Sequence, residues 1–151
     1  SILVLGGNLQ VGESNKFSIG VDAEVEKVGE SAPISVLYIS NEKCGEGKRI
    51  WAGNTNLTDG GEVSMEYTAK KSKMQDQQEG VDLDPTFVRF CALTEENNTY
   101  ESYTYTWKEL NQTVSQEGVI ELKQSYNNKW DLHTSSFTME RKPLTLGEII
   151  N

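Results

Sequence analysis

A chain of 151 residues fits one domain and can bury about 70% of the surface its unfolded form exposes, so its core requires neither a metal nor a dense disulfide framework. Its 23 acidic against 14 basic residues give a formal charge of -9, which repels phosphate backbones and anionic lipid over a Debye length of about 8 Å and argues against nucleic acid as a partner. No apolar run approaches the roughly 20 residues of a membrane-spanning helix, so membrane insertion is not expected.

The first segment, Ser1 to Leu5, has no charged leader and no long apolar core, so it does not read as a signal segment. Residues 2–5 are nevertheless apolar, as are Leu144, Leu146, Ile149 and Ile150 at the other end. Each end is expected to dock on a sheet, either as an edge strand of its own domain or as an exchanged strand of the kind that holds filaments and shells together. From Phe17 to Val25 the chain alternates without a slip. Phe17, Ile19, Val21, Ala23 and Val25 lie on one face, with Ser18, Gly20, Asp22, Glu24 and Glu26 on the other, the pattern of a half-buried strand.

The segment from Ile34 to Ile39 is apolar on both faces and reads as a central strand, and Thr86 to Leu93 reads similarly, so these two form the spine of the core. Val63, Met65, Tyr67 and Ala69 repeat the period of two, as do Tyr103, Tyr105 and Trp107. Strands are expected near 2–5, 16–26, 33–40, 48–52, 62–69, 86–94, 100–109, 118–125, 129–133, 135–141 and 144–150, separated by glycine- and asparagine-rich turns. Among these turns Asn127 and Asn128 join two strand-like runs with a residue type that tolerates positive φ. The run from Lys70 to Pro85 is too polar to pack and reads as a long surface loop, and 118–141 could be an appended hairpin. The expected architecture is all-β: a single, mostly antiparallel β-sandwich over 1–151, immunoglobulin-like or jelly-roll-like.

Cys44 and Cys91 each border an expected strand and could bridge two sheets. Glycosylation acceptor patterns begin at Asn56, Asn97 and Asn111, all at loops or strand ends. A disulfide together with three such patterns points to a secreted or surface-displayed glycoprotein. Two cysteines with Trp51 between them resemble the Cys, Trp, Cys pattern of immunoglobulin domains. The spacing departs from that family, since Trp51 follows Cys44 by 7 positions and Arg89 rather than tyrosine stands two before Cys91. The resemblance therefore implies a shared architecture at most, and no residue roles.

Catalytic chemistry finds little footing. His133 is the only histidine, no nucleophile motif surrounds either cysteine or any serine, and no paired zinc-ligand spacing is present, so His133 reads as a surface or interstrand residue. Neither an enzyme nor a cofactor is expected. Asp76, Glu79, Asp82 and Asp84 could offer oxygens to a calcium ion, but their spacing matches no calcium motif and a solvated loop is the simpler reading. Tyr103, Tyr105 and Trp107 on one strand face are either core or a flat platform for sugar rings or a protein. Trp51 and Trp130, the latter close to Asp131 and His133, read as core. The functional expectation is non-catalytic recognition or adhesion at a surface, with protein or glycan partners and with self-association as an alternative. A structural subunit of a filament, pilus or shell and a carbohydrate-binding module are the competing readings.

Overall fold

The computed structural model describes residues 15–46, 49–71, 87–106 and 118–143, together with positions 145 and 147. The strands are β1 (Asn15–Val28), β2 (Ile34–Ser40), β3 (Arg49–Leu57), β4 (Glu62–Lys71), β5 (Phe87–Thr94), β6 (Thr99–Glu101), β7 (Tyr105–Thr106), β8 (Gly118–Lys123) and β9 (Lys129–Pro143). Eight of them follow one hydrogen-bonded path, β3-β2-β5-β6-β8-β9-β1-β4, and β7 pairs with β5 beside it. All pairings are antiparallel.

The two ends of this path, β3 and β4, are consecutive in sequence and meet through the turn at 58–61. That turn is fastened to β1: Gly60 N–H donates to the Val25 carbonyl at 2.8 Å, Val25 N–H donates to the Gly61 carbonyl at 2.8 Å, and Lys27 N–H donates to Asp59 Oδ1 at 2.9 Å. The sheet curls back toward itself and is nearly closed, so the fold is all-β and barrel-like. Two separately stacked sheets of immunoglobulin or jelly-roll type are not what the strand path describes. Inward and outward residues alternate in the same way in a sandwich and in a barrel, so alternation alone could not separate them. The difference rests on the three residues of β6, which pair with β5 and touch β8 through the single pair Glu101 and Lys123.

The interior is built from the inward faces read in the sequence. Phe17, Ile19, Val21, Ala23 and Val25 of β1 meet Val63, Met65 and Ala69 of β4, Val88, Phe90 and Ala92 of β5, and Trp130, Leu132, Phe137 and Met139 of β9. Aromatic edges fill the middle, with Phe90 and Tyr105 centroids 5.9 Å apart and Phe90 and Phe137 centroids 6.2 Å apart. Trp130 Nε1–H donates to Ser31 Oγ at 2.9 Å, which satisfies the one polar group the indole carries inside. β2 and β5 lie side by side and bury both faces, as expected of a spine.

Several expectations change. The segments 129–133 and 135–141 are one strand, β9, whose register against β1 shifts between Asp22 and Ala23, with Ser135 as the extra residue. The 118–141 hairpin is integral to the sheet, because β9 pairs with β1 from Lys129 to Pro143. The expected strand 100–109 is interrupted: β6 and β7 are separated by residues 102–104, where Ser102 Oγ accepts from Phe90 N–H at 2.8 Å. The disulfide joins Cys44 and Cys91, with Cα atoms 5.8 Å apart, but it does not link two sheets. It pins the turn after β2 to the outer side of β5, in a small cluster with Tyr38, Val36 and Leu93. The expected loop 70–85 does not begin at Lys70, since Lys70 and Lys71 extend β4 in its pairing with β1; residues 72–85, both terminal apolar segments, Trp107 and Asn111 lie outside the described residues.

Candidate functional site: the outer face of β8, β9 and β1

In β9, Trp130, Leu132 and Thr134 are buried, so Lys129, Asp131 and His133 stand on the outer face. The same alternation turns Glu24 and Glu26 of β1 outward, along with Val119, Glu121 and Lys123 of β8. Because β9 lies between β1 and β8, register decides which of these side chains become neighbours. Glu26, Asp131 and Glu121 form one row, and Glu24, His133 and Val119 form the next.

The charges are organised into a chain of contacts. Lys129 Nζ is bonded to Glu121 Oε2 and lies 3.3 Å from Asp131 Oδ1, and Lys123 Nζ lies 3.5 Å from Glu121 Oε1. Hydrogen bonding from Lys129 holds the Glu121 carboxyl below the usual carboxylate range, and the same bond raises the Lys129 ammonium. His133 Nε2 lies 3.0 Å from Glu26 Oε1. Asp131 is only 8% exposed, and its buried Oδ1 faces the Lys129 ammonium.

Two shallow depressions flank this row. One, of about 670 Å³, is bounded by Asp22, Glu24, Glu62, Ser64, His133 and Ser135, and the Ser64 hydroxyl donates to Asp22 Oδ1 at 2.8 Å. The other is lined by Glu101, Ser102, Tyr103, Glu121 and Lys123. Tyr103 is 75% exposed there, whereas Tyr105 packs inward with its ring centroid 5.6 Å from that of Phe137. Of the three residues of the expected aromatic ladder, the two described ones lie in different surroundings on either side of the break at 102–104. Buried Tyr100 supplies the inward aromatic of β6 instead.

Both cysteines are in the disulfide, and the Ser135 hydroxyl donates to the Asp22 carbonyl at 3.3 Å rather than to His133. Asn56 and Asn97 are exposed, with φ of 58° and 64°, so two of the acceptor asparagines occupy left-handed backbone positions that asparagine tolerates. Asn127 and Asn128 do not have positive φ; their hairpin closes through Gln124 N–H and Ser125 N–H donating to the Asn128 carbonyl at 3.1 and 3.2 Å. Trp51 lies on the β3 backbone and Trp130 in the core. Asp76, Glu79, Asp82 and Asp84 lie outside the described residues.

Sequence reading did not single out Glu26, Glu121 or Lys129. The signal available was the outward parity of each strand, but the neighbours across strands needed the register. The chain thus presents a filled antiparallel barrel-like core with a charged outer face. Comparison with protein families, curated proteins and solved structures finds no match.

Proposed function

We propose that this chain is a non-catalytic recognition domain of a secreted or surface-displayed glycoprotein, and that it meets a protein or glycan partner through the outer face of β8, β9 and β1. One observation carries the reading: the interior is occupied by the protein's own side chains, while Tyr103, Val119, the Lys129–Glu121 pair and the Glu26–His133 pair share one outward face. A barrel packed in this way has its recognition chemistry outside rather than in a lumen. Exposed tyrosine beside mixed charge suits partner surfaces, where Tyr is enriched and paired charges set orientation. Secretion is supported by the disulfide and by the exposure of Asn56 and Asn97.

The test is binding of the full chain, expressed through a secretory route, to intact cells and to an immobilised glycan panel. Saturable binding is expected, and it falls at least tenfold in the double variant Tyr103→Ala and Lys123→Glu. Substituting Arg49, whose guanidinium lies 4.3 Å over the Tyr38 ring of β2, leaves binding intact. Binding that survives the double variant, or no saturable binding to either target, overturns the proposal.

A further inference from the structure

Among the described residues, the side chains of Glu26, Asp131 and His133 bring one ligating atom each to within 4.8 Å of one another. No sequence spacing announces this group. Asp131 and His133 are two apart on one strand face, and Glu26 faces Asp131 from the neighbouring strand. Their backbones are held in the β1–β9 ladder, so the positions do not depend on a loop.

The donor set is chemically selective. His133 Nε2 and Glu26 Oε1 are already 3.0 Å apart, close to the separation of adjacent ligands around a four-coordinate ion with metal–ligand distances of about 2.0–2.2 Å. The Asp131 Oδ1 atom is buried. Its nearest opposing charge is the Lys129 ammonium at 3.3 Å, and that ammonium is itself bonded to Glu121. A buried carboxylate oxygen is costly unless something positive stands beside it, and here the ammonium that does so is shared with Glu121. Imidazole nitrogen with two carboxylates suits zinc, whereas magnesium and calcium prefer oxygen ligands throughout. Glu26 is exposed and already contacts His133, so its carboxylate can follow an ion by side-chain rotation.

We propose that Glu26, Asp131 and His133 bind one Zn²⁺ ion on the outer face of the barrel, with water in the fourth position. The experiment is calorimetric titration of the tag-free full chain with ZnCl₂, alongside NMR of the imidazole resonances, which belong to one residue because the chain has a single histidine. One ion per chain is expected, with the His133 signals shifting in step, and excess MgCl₂ does not reverse the shift. His133→Gln and Glu26→Gln each weaken binding at least tenfold, while Glu96→Gln, in the turn between β5 and β6, leaves it unchanged. Both weakening substitutions are at exposed positions, and unchanged melting without zinc verifies the fold of each variant. No saturable binding up to about 1 mM ZnCl₂, or binding that persists unchanged in His133→Gln, overturns the proposal.

Discussion

Gly29 carries more constraint than its place at a strand end suggests. Its φ is +83°, and a Cβ there would meet the Asn127 carbonyl oxygen at 1.9 Å. The adjacent Glu30 N–H donates to Asn128 Oδ1 at 3.1 Å, so the start of one connection is hooked onto the hairpin between β8 and β9. Gly60 shares the backbone conformation, with φ +87°, but has nothing within 4 Å of a built Cβ. The two positions separate backbone strain from collision. Gly60→Ala is expected to cost about 1 kcal/mol, the left-handed penalty alone, and Gly29→Ala about 3 kcal/mol or more. Urea denaturation of both variants checks this; equal losses would mean that the hairpin yields to the added methyl group. Asn56 and Asn97 follow the same logic with a different residue, so their acceptor patterns have a backbone reason as well as a chemical one.

At the level of elements, the β8–β9 pair is tied by Glu121 and Lys129. The folded Glu121 carboxyl titrates below its ordinary 4.5, so its contribution is complete above that value and is lost as pH falls through the lowered one. Lys129 is raised above 10.5, so its contribution holds below that value and fades only in more alkaline solution. Glu121→Gln is therefore expected to flatten the fall in the urea midpoint between about pH 5 and pH 3 relative to the unsubstituted chain. An unchanged acid slope would assign that dependence to other carboxylates. The elements themselves were largely legible. β1 was readable from its alternation and β2 from apolar residues on both faces, because burial acts on each strand locally. The candidate site was legible only in part: a strand over 129–133 was expected, which leaves Asp131 and His133 two apart, but nothing within β9 indicates that Glu26 stands across from them. Likewise Ser102, a polar residue inside an alternating run, gave no sign that it would break the strand by accepting the Phe90 N–H.

For the whole molecule, the position of the disulfide sets what its loss would do. Cys44 and Cys91 are 47 positions apart, and a closed loop of that size stabilises by about 4 kcal/mol in the chain-entropy picture. The bridge lies in the small outer cluster rather than in the main core, so removing it opens no void among Phe90, Trp130 and Leu132. The double variant Cys44→Ala and Cys91→Ala is expected to retain its strand content and to melt well below the unsubstituted chain, as followed by circular dichroism on heating. Loss of strand signal at room temperature would instead make the bridge a condition of folding.

The β1–β9 ladder has a consequence in time as well as in space. It joins the first described strand to the last: Val28 pairs with Lys129 and Asn15 with Pro143. On a ribosome, β1 emerges with one partner soon to hand, β4, and then waits with its other edge bare until nearly the whole described chain has been made. Long-range pairings of this kind slow the search for the native state and leave hydrogen-bonding edges open to neighbours meanwhile. The outward row on β1, with Asp22, Glu24 and Glu26 spaced along it, gives the waiting strand a repulsive charge against a second copy of itself. The same carboxylates that pattern the finished surface thus guard the unfinished one.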